Sequence, residues 1–315
     1  MRWLVVVLLT AAGQVFAQES ARQWLDEMSS ALETLDYDGT FVYLHDNKLE
    51  TMRIVHQLTE GGEKERLVSL TGSPREVLRD DRVVTCIMPD NKSVMVGMSR
   101  PRQPFPVVPR DLDTLSLYYD LEDAGEGRMT GHMTRIIKIT SKDALRYGYR
   151  FWIDRDTRML LKFDLTGVDG KAIEQVMFTS LGVGERIPEA ALKPSLSGDG
   201  YTWYRQENSK PKKTSGTPGW TVDRLPVGFR MINFQHKRMR QDSEPAEHMV
   251  FSDGLATVSV YVEKLAEGEA AVTGLSSMGA VNAYRAQVDG HQVTVIGEVP
   301  RDTVQMIARS VGRKS

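Results

Sequence analysis

The side chains best able to do acid–base or metal chemistry in this chain are His45, His56, His132, His236, His248 and His291. His248 stands shortly before Ser252 and Asp253, the three residue types of an acyl-transfer triad. A triad needs members brought from separate elements, where the fold can set their angles. Here all three fall in one strand entering a Ser252-Asp253-Gly254 turn, so no triad is indicated. There is no Gly-x-Ser-x-Gly elbow, and the run 274–279 is expected to be a loop. No His-Glu-x-x-His or Cys-x-x-Cys pattern offers zinc a ligand set. Asp154-Arg155-Asp156 supplies the first acids of a calcium loop without the distal glutamate, so a hairpin turn is expected. Gly125, Gly127 and Gly131 miss the dinucleotide spacing by one residue, and no strand is expected to lead into them. The reading is a binding protein with no catalytic residue, no metal site and no cofactor. His56 and His291 are expected as half-exposed strand residues.

The chain's start points to a compartment. Arg2, an apolar run over 3–9 and the small-x-small exit Val15-Phe16-Ala17 form a secretory signal pattern. The run is shorter than the roughly 20 apolar residues that span a bilayer. A periplasmic protein beginning near Gln18 is expected. Cys86 is the single cysteine, which excludes an intramolecular disulfide. It lies in a strand-like run and reads as a small buried apolar residue, with an intermolecular disulfide left open. The formal net charge of −2 argues against nucleic acid as a partner.

These pieces must be positioned by a β-rich α+β chain. Trp24, Leu25, Met28, Leu32 and Leu35 share one face of a helix over 20–35. A meander follows, with strands expected at 40–44, 49–58, 66–70, 76–78, 83–88 and 93–98. Pro101, Pro104, Pro106 and Pro109 interrupt it. A short helix is expected over 111–121, then strands at 149–153, 159–165 and 173–178. Gly, Ser, Pro and Lys crowd 193–218, and Lys210-Pro211-Lys212-Lys213 has nothing to bury, so this is the expected linker. Two Asp-Gly hairpins, at Asp253-Gly254 and Asp289-Gly290, organise the second domain, and a helix over 302–311 closes it. The expected division is signal peptide 1–17, large domain 18–192, linker 193–218 and small domain 219–315.

Two features remain for function. A long antiparallel sheet must cover its apolar face or close on itself. With one helix and one Pro-rich segment to cover it, an incompletely closed barrel would leave an apolar concavity for acyl chains or an apolar peptide. Met52, Met88, Met95, Met98, Phe105, Trp152, Phe163 and Met177 are the candidate lining, and methionine adapts to irregular ligands. Any one of them is also accounted for by core packing. The second feature is a groove between two linked domains, which can change shape.

Several runs resemble the RseB/MucB family. They include Tyr37-Asp38-Gly39-Thr40-Phe41-Val42-Tyr43, Leu49-Glu50-Thr51-Met52-Arg53-Ile54, Glu65-Arg66-Leu67 and Gly72-Ser73-Pro74-Arg75-Glu76-Val77. The 86–90 and 248–255 stretches, Gly219-Trp220-Thr221-Val222, Leu225-Pro226-Val227-Gly228-Phe229 and Gly297-Glu298-Val299-Pro300 complete the set. The resemblance covers nearly the whole chain after the signal pattern and looks closer to the MucB branch. It implies a large domain similar to LolA and LolB, an open antiparallel barrel with helices, and a smaller sheet domain with a terminal helix. It implies binding to the periplasmic part of a membrane-spanning anti-sigma factor, MucA- or RseA-like, which shields that protein from site-1 proteolysis. Lipopolysaccharide or lipid fragments would lift the shield in envelope stress, with alginate production among the outputs. A homodimer is left open, and a lipid or lipoprotein carrier is the alternative. Contact residues do not carry over by motif. On physical grounds Trp220, Leu225 and Phe229 are the candidate partner anchors, although packing in the small domain's own core is slightly favoured for each taken singly.

Overall fold

Ala21, Leu25, Met28 and Ala31 recur at helical spacing, and all four are buried along one side of α1 (Ala11–Thr34). Period-two alternation takes over directly afterwards. In the computed structural model β1 (Tyr37–His45), β2 (Lys48–Thr59), β3 (Gly62–Ser69), β4 (Glu76–Asp80), β5 (Val83–Met88) and β6 (Ser93–Gly97) form an antiparallel meander. A short helix, α2 (Leu112–Leu115), leads to a second meander. It comprises β7 (Tyr119–Met129), β8 (His132–Ser141), β9 (Gly148–Asp154), β10 (Leu160–Thr166) and β11 (Ala172–Val183), and β11 returns to pair with β1. β12 (Thr202–Arg205) then joins β6 in parallel. The resulting twelve-stranded sheet runs from β12 at one edge to β7 at the other, an open barrel around α1. The structure describes residues 11–81, 83–97, 105–106, 108–109, 112–205, 217–237, 244–266 and 268–314.

The second unit is smaller. β13 (Trp220–Val222) pairs with β20 (Val311–Arg313). β14 (Arg230–Lys237), β15 (Ala246–Ser252), β16 (Thr257–Lys264), β17 (Gly274–Met278), β18 (Val281–Val288) and β19 (His291–Gly297) form a six-stranded antiparallel sheet, ordered β14-β15-β16-β19-β18-β17. α3 (Arg301–Ala308) packs Val304 and Ile307 into the core on one face of it. At the β18–β19 turn Asp289 and Gly290 take φ of 46° and 74°, the positive values this hairpin requires. The expected α+β architecture, an open barrel with a helix plus a smaller sheet with a terminal helix, is the one observed.

Several elements differ from expectation. Gly125 and Gly127 lie inside β7, where the sequence predicts no strand, and β7 begins at Tyr119, inside the helix expected over 111–121, which is confined to Leu112–Leu115. Beyond Leu121 this edge strand faces solvent and alternates charged residues, so it lacks an apolar signal. Residues 274–278 form β17 rather than a loop, because β18 supplies partners that local sequence cannot announce. The first part of the expected linker is exposed but tied to the large domain: Ser195 N donates to Glu76 Oε2 at 2.9 Å, and β12 extends the sheet. His56, expected half exposed, is fully buried. Its Nδ1 donates to the Leu35 carbonyl just past α1 at 2.8 Å, and Nε2 lies 3.4 Å from Glu63. Burial opposes its protonation, but Glu63 and that carbonyl outweigh burial and raise its pKa above the ordinary imidazole value.

Candidate functional site

The two sheets meet at one end of the small sheet, where its turns press on the large domain. Arg146, between β8 and β9, is the centre of the contact. Asp143 accepts from its Nε at 3.2 Å and fixes the guanidinium plane. Nη1 donates to Asp253 Oδ2 at 2.7 Å, with neither side chain exposed, and Nη2 donates to the Val227 carbonyl at 2.8 Å. The rings of Tyr118, Tyr119 and Phe229 surround Cζ at 5.2, 5.5 and 5.4 Å. Tyr119 donates its hydroxyl to the same Asp253 oxygen at 3.0 Å. Burial, then the Asp253 charge, hold that phenol well above its usual pKa, so it stays a donor. The other Asp253 oxygen accepts from the backbone N–H groups of Leu255 and Ala256, at 2.9 and 2.8 Å. A buried ion pair is tolerable only when its remaining donors and acceptors are met, and here they are.

Further bonds extend the junction. Thr303 Oγ1 donates to the Leu145 carbonyl at 2.7 Å, and Asn282 Nδ2 lies 3.0 Å from the Tyr147 hydroxyl. Glu174 accepts from Tyr43 and from Ala280 N, both at 2.7 Å. Gly228 has φ +91°, and a Cβ there would fall 2.2 Å from the Tyr118 ring, so only glycine fits this approach. Arg146, Tyr119, Glu174 and Thr303 escaped sequence reasoning. A lone Arg in a loop carries no local mark of a partner more than a hundred residues away.

The candidate lining residues separate by face. Met52, Phe105 and Phe163 belong to one buried cluster with α1, and Phe105 packs between Phe41 and Phe178 at 5.7 and 5.5 Å. The concavity is thus occupied by the chain's own side chains. Met95 sits opposite Cys86 on the same face but 53% exposed, one strand in from the β12 edge and beside Tyr204. Met88 shares that face and is half-buried. Trp152 and Met177 do not line the concavity. They alternate with the core residues Phe151 and Ile153, and Val176 and Phe178, and so point the other way. Trp152 lies there under Lys162, whose Nζ is 4.1 Å from its ring. Met98 is outside the described residues. The partner anchors fare as core: Trp220 and Phe229 are 7% and 8% exposed, and Leu225 packs against the same cluster.

His248 and Ser252 serve separate purposes. His248 Nε2 lies 3.0 Å from Ser259 Oγ, Nδ1 lies 3.0 Å from Gln235 Nε2, and the ring stacks on Tyr261 at 4.1 Å. Burial, with Lys237 nearby, lowers its pKa to about 4. Ser252 Oγ donates to the Ala256 carbonyl at 2.8 Å and accepts from Gly254 N at 2.9 Å, closing its own turn. Single alanine substitutions at His248 and Ser252 are expected to cost about 1–2 kcal/mol of stability and to leave partner binding unchanged. Thermal unfolding and partner titration check this, and a large loss of signalling in a folded variant that still binds its partner would point to a catalytic role instead. Among the described residues no histidine, cysteine or carboxylate cluster could hold a metal, and no helix is long and apolar enough to cross a membrane.

Residues 20–196 match the family model described as the MucB/RseB N-terminal domain, and residues 214–312 match the MucB/RseB C-terminal domain. The chain is 31% identical to the Pseudomonas aeruginosa sigma factor AlgU regulatory protein MucB, over 92% of this chain and 90% of that protein. It superposes on the P. aeruginosa MucA/MucB complex with a TM-score of 0.73, at 29% identity, covering 94% of this chain and 99% of that one. On another crystal structure of MucB the TM-score is 0.64, at the same identity, covering 94% and 98%.

Proposed function

Because the chain belongs to the MucB/RseB family, we propose that it is a periplasmic regulator that binds the periplasmic domain of a MucA- or RseA-like anti-sigma factor and so controls sigma-factor activity. The similarity spans both domains: family models match residues 20–196 and 214–312, and the superposition on the MucA/MucB complex covers 94% of the chain. That two-domain match carries the reading. A carrier of lipid or lipoprotein would need only the large sheet, and leaves the buried junction with the small one without a purpose. The basic and apolar start of the sequence and the single cysteine support the periplasm.

In the finer reading, the bound chain shields the anti-sigma factor from the first protease, and a lipid released in envelope stress lifts the shield. Lipid acts only if it favours a conformation that binds the partner poorly. The coupling is then reciprocal, so the partner weakens lipid binding by the same factor. Calorimetric titration of the anti-sigma periplasmic fragment, with and without saturating lipid, tests this. The expected result is tight binding alone and a weaker Kd with lipid. Unchanged affinity would remove the lipid switch, and no binding would remove the regulator reading.

A further inference from the structure

The small sheet has two open edges, and they differ in chemistry. β17 is the uncharged run Gly-Leu-Ser-Ser-Met. β14 reads Arg-Met-Ile-Asn-Phe-Gln-His-Lys, with a cation at each end and no acidic residue. β14 pairs with β15 alone, so the backbone groups along its outer edge have no strand beside them among the described residues. A register shift between Met231 and Asn233 marks a bulge at Ile232. Met231 and Ile232 are 46% and 57% exposed.

This edge continues the junction between the domains. It begins immediately after Phe229, whose ring lies against Arg146, and Val227 just before is strongly exposed. Across the junction stands Leu117, also strongly exposed, next in sequence to the Tyr118 whose ring packs on Gly228. Exposed apolar side chains therefore flank both sides of the seam where β14 starts. A second copy of this chain is a poor occupant. Antiparallel pairing of β14 with itself sets Arg230 opposite Lys237 at both ends, and like charges directly opposite destabilise a strand pair. An acidic strand meets the reverse condition.

We propose that β14 is the docking edge for an extended, acidic segment of the anti-sigma partner, which adds as one more strand of the small sheet. Main-chain hydrogen bonds along the edge supply affinity, and Met231, Ile232, Val227 and Leu117 take apolar side chains of the segment. The end cations select its charge and steer its approach. The inference rests on the reading of the chain as an anti-sigma-binding regulator and names the surface that does the binding.

The test uses the full chain and the periplasmic fragment of its own organism's MucA-like protein. Hydrogen exchange of the wild type should show new amide protection in residues 230–237 when the fragment is added. Ile232→Asp and the double variant Arg230→Glu, Lys237→Glu change exposed side chains, and thermal unfolding should confirm their fold. Each is expected to weaken binding by about tenfold or more, with the charge-reversal effect shrinking as salt rises. Met278→Asp on β17 should bind as the wild type does. Wild-type binding without protection in 230–237, or normal binding by both β14 variants, overturns the docking edge while leaving the regulator reading intact. No binding by the wild-type chain overturns both.

Discussion

Arg146→Met is expected to be the most damaging single substitution at the junction. It removes the cation that Asp253 faces and leaves a carboxylate with no exposure beside the hydroxyl of Tyr119. Removing one member of a buried pair costs about 3–5 kcal/mol, mostly through the stranded charge. The loss also frees the Val227 carbonyl and the rings of Tyr118 and Phe229 that rest on the guanidinium. Because those groups belong to both domains, the expected outcome is separation of one unfolding transition into two in urea, with a larger radius of gyration in solution scattering. Asp253→Asn added to Arg146→Met should recover part of the stability. The amide oxygen can still accept from Leu255 and Ala256, and no unpaired charge remains. A single variant with unchanged cooperativity and unchanged scattering would show that the ion pair does not hold the domains. If the held arrangement is the one that receives the anti-sigma segment, Arg146→Met should also weaken partner binding more than its surface exposure would suggest.

Phe105→Ala is expected to have the second largest effect, with opposite signs on stability and on ligand uptake. Phe105 packs between Phe41 and Phe178 on the concave face, in the same cluster as Leu25 and Met28 of α1. Truncating a core phenylalanine costs about 3–5 kcal/mol, the spread depending on how far the site collapses. The space left is lined by apolar groups, and such a cavity stays dry and accepts apolar ligands. A fluorescent acyl probe should therefore bind the variant more tightly than the wild type, while the unfolding midpoint falls. Phe105 lies four residues before Pro109 and ten before Leu115, and both of these approach Gly254 at the junction. An acyl chain that displaces Phe105 would thus disturb the seat of the small domain, a route by which lipid could weaken partner binding. Weaker probe binding by a folded Phe105→Ala protein would instead make Phe105 part of the ligand's wall.

The same residues show how far local sequence reaches. Apolar periodicity announced α1 and most of the meander, because each buried position in those elements recurs at the period of the element. Asp-Gly pairs marked the hairpins of the small sheet, since few residues besides glycine, Asn and Asp tolerate the positive φ needed there. The family resemblance lay in short ordered runs, so the architecture and the kind of partner were also legible. Face and pairing were not. Trp152 and Phe151 are neighbours with equal apolar character, yet one joins the core and the other lies under Lys162 outside it, a choice made by register with β10. β7 and β17 became strands because neighbouring strands offered them a ladder, although their own side chains carry little apolar alternation. Arg146 and Asp253 meet only after both domains have folded, and burial is what turns an ordinary charge pair into the joint of the molecule. The sequence by itself determined α1, most strands of the first meander, the Asp-Gly hairpins and the family, because those depend on local periods and ordered motifs. The tertiary structure alone decided which faces are spent on the core, which edges stay open, and where the two sheets are locked together, because these follow from contacts between residues distant in the chain.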